Sequence, residues 1–211
     1  MILAFDTSGA YCSAALFADG AVLGSVHEDM KRGQVERLMP MLAELLTAQG
    51  IGWHDLTRIA VGTGPGNFTG LRIAVAAARG LALSLDIPAI GVSTLQAQAL
   101  GIPGRVLSLV AAPRDAFCAQ VFAEGYAAAP GFHDAGALPD VAAPFVCVGA
   151  PAPRVAAALG APWRDPAFPL VEAMARIAAG ADPVTAPRPA PLYLRPADAA
   201  PPRDPAPVIL P

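Results

Sequence analysis

The chain has 211 residues, 55% of them apolar and 15% charged, with a formal net charge of −3. That length suffices for one large domain or two small ones, and the acidic balance, with Lys31 as the single lysine and no dense arginine run, excludes a basic nucleic-acid surface. Cys12, Cys118 and Cys147 are odd in number and far apart, so neither a disulfide framework nor a zinc site is indicated and a reducing, cytoplasmic setting is expected.

Residues 1–6 lack a positive leader and meet an acid after five residues, which is no signal peptide. Short apolar runs at 2–6, 12–17 and 21–26, joined by tight turns, predict three antiparallel strands. A helix follows over 34–49. Its apolar residues Val35, Leu38, Met39, Met41, Leu42, Leu45 and Leu46 cover an arc of roughly 160°, wider than the ~100° stripe that one core requires. This helix is expected to touch a second surface, in keeping with an apolar surplus that another subunit would cover.

Residues 58–61 read as a strand, and residues 71–85 as a helix. Between them, Gly62 to Arg72 holds four glycines and Pro65. Pro65 and Gly66 predict a type II turn, with Asn67 or Thr69 capping the helix. Two readings stay open for Gly64, Pro65, Gly66, Asn67, Phe68, Thr69 and Gly70: a turn that only permits close packing, or a recognition loop at a helix N-terminus. The dinucleotide fingerprint fails at Asn67 and Thr69, and no Gly-Lys-Ser/Thr follows. The helix carries Gly70, Ala74, Ala77, Ala78 and Gly80, small residues that suit either an interior helix or a close-packed partner interface. The most apolar window, 73–90, is broken by Arg79, Asp86 and Pro88, so no membrane span is expected.

A strand at 88–92 and a helix to residue 100, capped by Ser93 or Thr94, complete an N-terminal ribonuclease-H-like lobe over 1–102. Residues 103–182 form a smaller second lobe, with strands at 106–110, 117–122 and 145–148 and helices at 155–159 and 170–179. In 183–211 ten of 29 residues are proline, so this tail is extended or disordered, with an apolar island at 191–195 that docks back on the body.

Few groups suit catalysis. His27, His54 and His133 are isolated, and no nucleophile elbow occurs. Asp6 ends the first strand, where folds of this strand order face the cleft. The matching strand of the second half reaches no acid before Asp115, so Asp6 stands as a vestigial cleft acid that holds the turn at Thr7 and Ser8.

The motifs together resemble the TsaB (YeaZ) family: Asp6-Thr7-Ser8, Arg37-Leu38-Met39-Pro40, the stretch Gly64 to Arg72, Gly91-Val92-Ser93-Thr94-Leu95 and Pro191-Leu192-Tyr193-Leu194-Arg195. The resemblance runs from residue 1 to about 195. It departs at Asn67, where serine is common, at Gln34, where many relatives have histidine, and at Ala112-Pro113-Arg114 in place of Asp-Ala-Arg.

The resemblance implies an α/β chain of two ribonuclease-H-like lobes with mixed sheets, of the actin, hexokinase and Hsp70 class. It implies a non-catalytic subunit required for threonylcarbamoyladenosine in tRNA, next to the anticodon, which positions a TsaD-type catalytic subunit. No cofactor is expected in this chain; ATP and metal belong to partner subunits, one of them a TsaE-type ATPase. A homodimer is possible, and tRNA is met only through the complex. The partner interface falls on Val35, Leu38, Met39, Leu42, Leu45, Leu46, Gly70, Ala74 and Ala77. The alternative is an active TsaD-like threonylcarbamoyltransferase or a small ATP-dependent kinase of the same fold, disfavoured because the H-x-x-x-H pair of TsaD-type chains is absent.

Overall fold

The computed structural model describes residues 1–194. Strand β1 (Ile2–Asp6) pairs antiparallel with β2 (Tyr11–Ala18), and β2 with β3 (Ala21–Asp29). Helix α1 (Gln34–Ala48) leads to β4 (Arg58–Gly62), which lies parallel to β1 on its other side. Helix α2 (Phe68–Leu85) leads to β5 (Ala89–Val92), parallel to β4, giving the order β3-β2-β1-β4-β5. An antiparallel meander extended by helix-linked parallel strands is the ribonuclease-H-like arrangement.

Helix α3 (Thr94–Ala99), capped by Ser93 accepting from the Gln96 N–H at 3.0 Å, leads into a second mixed sheet. Its strands are β6 (Val106–Ala111), β7 (Phe117–Ala123), β8 (Tyr126–Ala127), β9 (Gly131–His133), β10 (Val146–Val148) and β11 (Trp163–Arg164). The order is β11-β10-β6-β7-β8, with β9 also on β7. Helix α4 (Ala152–Leu159) packs on β10 and β11, and α5 (Leu170–Gly180) closes the helical part. Two mixed sheets with helices packed on them make this an α/β chain of two lobes.

Strand periodicity divides the first core. Leu3, Phe5, Ala14 and Leu16 point to the face covered by α1 and α2, where Leu38, Met41, Leu42 and Val75 meet them. Ile2, Ala4, Ala15 and Phe17 point to the other face, which α5 covers with Val171, Met174, Ala175 and Ala178. The sequence groups 103–182 in one lobe; the fold instead returns α5 to the first sheet. Within 1–102 only Ala97 and Leu100, from the short α3 segment, join the cluster on the Ile2–Ala4 face, and burying the rest of it supplies the driving force. The Arg58 guanidinium fastens the return by donating to the carbonyls of Ala178 and, at 2.9 Å, Ala181, a cation at a helix C-terminus.

After α5 the chain runs back across the first sheet. Leu192 N–H donates to the Thr63 carbonyl at 2.8 Å, and Pro189 lies against Gly91. Arg195 and the rest of the proline-rich tail lie outside the described residues.

Candidate functional site

The glycine loop between β4 and α2 is bolted to its neighbours. Thr63 N–H donates to Val92, Thr94 N–H to Gly64 at 2.8 Å, and Asn67 N–H to Ser8 at 2.6 Å. Thr7 Oγ1 donates to the Gly70 carbonyl at 2.7 Å. Asn67 caps α2 by accepting from Gly70 N–H at 3.0 Å, so the helix opens at Phe68, three residues before the predicted start. The type II turn is not formed. Gly64 takes the positive φ of 90° beside a cis Gly64–Pro65 bond, and Gly66 is needed for a different reason: a Cβ there would lie 2.6 Å from the Ser8 carbonyl oxygen. A Cβ at Gly70 would stand 1.9 Å from the Thr7 carbonyl oxygen. These contacts are what the close-packing reading of the loop requires.

Asp6 does not face the cleft. It is fully buried, with Oδ2 accepting from Tyr11 Oη at 2.6 Å and Ser8 Oγ at 2.7 Å. Burial holds its carboxyl above the ordinary value of 3.8, against the lowering effect of the Tyr11 and Ser8 hydroxyls. Burial and the neighbouring Asp6 likewise push the Tyr11 phenol up. Tyr11 lines the cleft, so it stands between the acid and the space that the acid was expected to serve. Sequence reasoning missed Tyr11, because nothing in a lone tyrosine five residues past an acid announces such a lid.

The cleft itself has a volume of about 1510 Å³. The first lobe contributes Pro65, Phe68 and Arg72, and the second Leu109 to Pro113 and Cys118; Phe168 and Leu192 to Leu194 also border it. Among the described residues Arg72 is the one charged side chain of the lining. Its guanidinium lies 3.8 Å from the Phe68 ring centroid and Nε donates to Tyr193 Oη at 3.0 Å, while the Phe68 and Tyr193 rings are 5.1 Å apart. Among the described residues the lining offers no carboxylate to hold the ion of a metal-bound nucleotide. Among the described residues no three His, Cys, Asp or Glu side chains converge. His27 sits beside Asp29 and Tyr11, His54 is exposed in a 3-10 turn, and His133 stacks on Phe117.

The residues predicted for a partner interface separate into two sets. Leu38, Leu42, Leu45 and Leu46 are buried in the core of this chain, as are Gly70 and Ala74, so none of them offers surface to a partner. Val35 and Met39 are exposed, at 59% and 41%, and Ala77 is half-buried. On α2 the outward residues include Ala76, Gly80 and Leu83, the last 86% exposed. Sequence reasoning missed Leu83 because it followed the small residues Gly70, Ala74, Ala77, Ala78 and Gly80 of this helix. By length and a mean hydropathy of 1.4, α2 would suit a bilayer, yet only five of its 18 residues are buried within the chain.

The family described as "TsaD: tRNA N6-adenosine threonylcarbamoyltransferase" matches residues 21–128, about half of the chain. Over 101 residues the chain is 45% identical to the tRNA threonylcarbamoyladenosine biosynthesis protein TsaB of Escherichia coli (strain K12). It belongs to the TsaD family as a TsaB (YeaZ)-type member. The E. coli match covers 47% of this chain and 43% of that TsaB, so the similar stretch spans less than half of the relative. Uncharacterized protein Mb3455c of Mycobacterium bovis is 33% identical over 210 residues, covering 95% of this chain and 94% of that one. A Pseudomonas aeruginosa crystal structure, described as an uncharacterized protein with similarity to peptidase YEAZ, superimposes with a TM-score of 0.72 at 27% identity, covering 92% of this chain and 99% of that one. The TsaB-type motifs fall on the contacts described above: Asp6-Thr7-Ser8 under the loop, Asn67 as the α2 cap and Leu192-Tyr193 on the cleft rim.

Proposed function

We propose that this chain is the dimerising, non-catalytic subunit of the cytoplasmic machinery that makes threonylcarbamoyladenosine in tRNA. It acts by pairing with a TsaD-type catalytic subunit and positioning it. ATP and metal are handled by partner subunits, a TsaE-type ATPase among them, and tRNA meets this chain only through the assembly. The names of the TsaB relatives support the pathway. The observation that carries the mode of action is the outward face of α2, which presents Ala76, Gly80 and Leu83 to solvent.

Gly80 sharpens the argument. A glycine inside a helix costs about 1 kcal/mol relative to alanine, and a Cβ at Gly80 would meet nothing within 4 Å in this chain. Nothing internal therefore requires it, whereas a second helix approaching closely would. Val35 and Met39 on α1 are exposed as well. Depleting the chain should remove the threonylcarbamoyl group from tRNA, read by mass spectrometry of digested nucleosides. Retained modification, with no second copy of the gene, contradicts the proposal.

A further inference from the structure

A pairing role leaves the interlobe cleft without a purpose. At about 1510 Å³ it has room for a small molecule, since ordinary ligand pockets measure ~300–1,000 Å³. Apolar side chains make most of its walls: Phe68 on the first-lobe side, Leu109, Val110 and Pro113 on the second, with Phe168 and Leu192 beside them. Such walls reward an apolar body and penalise a polar group that finds no partner there.

One point of charge interrupts them. Arg72 is held in place rather than loose: its guanidinium lies 3.8 Å from the Phe68 ring centroid, and Nε donates to Tyr193 Oη at 3.0 Å. The Phe68 and Tyr193 rings, 5.1 Å apart, brace each other and the cation. Among the described residues no aspartate or glutamate forms an ion pair with Arg72, and Nε is its one nitrogen with a hydrogen-bond partner. A fixed guanidinium with both terminal nitrogens open is the fork that a carboxylate fits with two parallel hydrogen bonds. Because stacking already orders the side chain, little rotamer freedom is lost when the fork is filled.

We propose that the interlobe cleft binds an apolar monocarboxylate, its carboxylate on the Arg72 guanidinium and its hydrocarbon body between Phe68 and the Leu109–Pro113 wall. Charge complementarity selects this class. One cation matches one negative charge, whereas a phosphate ester brings further charge into walls that cannot hydrate it. An alcohol leaves the fork unfilled, and an amine is repelled by it. Arg72 precedes Ala76 and Gly80 at four-residue steps on α2, so the site adjoins the proposed pairing face without using its residues. The binding claim does not rest on that pairing.

The test titrates the isolated full-length chain calorimetrically with decanoate, kept below micelle formation. Saturable binding of one decanoate per chain is expected. Arg72→Met should weaken it by roughly tenfold or more, with circular dichroism unchanged. Decanol and decylamine should bind at least tenfold more weakly than decanoate. Ala111→Trp narrows the cleft from the second lobe at an exposed position and should also abolish binding while leaving Arg72 in place. Leu83→Glu, which tests the pairing face, should leave decanoate affinity within about twofold, as distant independent sites do; the two proposals therefore fail separately. Absence of binding, an affinity indifferent to Arg72→Met or to Ala111→Trp, equal affinity for decanol, or a loss with Leu83→Glu would each overturn the assignment.

Discussion

Helices α1 and α2 lie side by side on one face of the first sheet, yet they use their apolar residues in opposite ways. Most of the broad stripe on α1, Leu38, Met41, Leu42, Leu45 and Leu46, is consumed inside the chain, where α1 packs on β2, β3 and α2 together, while Val35 and Met39 at its margin stay exposed. On α2 Leu71 and Val75 turn inward with Gly70, Ala74 and Ala78, while Ala76, Gly80 and Leu83 remain outside. Arc width thus counts the neighbours of a helix without saying whether they belong to the same chain. Small residues with nothing packed on them are the better sign of a missing partner.

The largest expected effect tests α1. Leu42→Ala should destabilise the chain by about 2–5 kcal/mol in denaturant unfolding, since its side chain is fully buried. A loss near zero would return Leu42 to the surface. Gly70→Ala at the start of α2 forces a Cβ onto the Thr7 carbonyl oxygen and should cost about 1–3 kcal/mol by the same measurement. Leu83→Glu should leave stability within about 0.5 kcal/mol, as exposed changes do, but weaken co-elution with a TsaD-type partner at least tenfold. Unchanged co-elution would leave the α2 face without its proposed role. Gly80→Ala should raise stability by about 1 kcal/mol while weakening that association; a gain in both would contradict the close-approach argument.

The smallest effect concerns how α1 is held. Arg37 forks onto Glu28 of β3 at 2.6 and 2.7 Å and onto Glu44 at 2.7 and 2.8 Å. Hydrogen bonds from Arg37 hold both carboxylates below their ordinary value of 4.5. A lowered folded value means the contribution is present above pH 4.5 and is lost as pH falls through the folded values. Arg37→Met should therefore flatten the acid side of a stability–pH curve, modestly because the network is near the surface. It should not alter partner association.

Much of this was legible in the residues, and the gaps have causes. The meander at β1 to β3 and the Asn67 and Ser93 caps follow from local pattern and local hydrogen bonding. Turn geometry at Gly64-Pro65 was not legible, because both isomers of a bond before proline are compatible with the same residues. The lid that Tyr11 places over Asp6 depends on where β2 begins relative to β1, a register that no single residue announces. The return of α5 was hidden for a plainer reason. An amphipathic helix at 170–180 fits any sheet with an uncovered face, and the sequence does not mark which sheet is short of cover.

That returning helix also governs how the protein comes into being. A ribosome making this polypeptide releases the strands of the first sheet early, but most of their Ile2–Ala4 side stays bare until Leu170 to Gly180 have emerged. The two halves therefore cannot mature in succession: the first is finished by the last helix of the second, and the nascent molecule must shelter an oily surface for most of its synthesis.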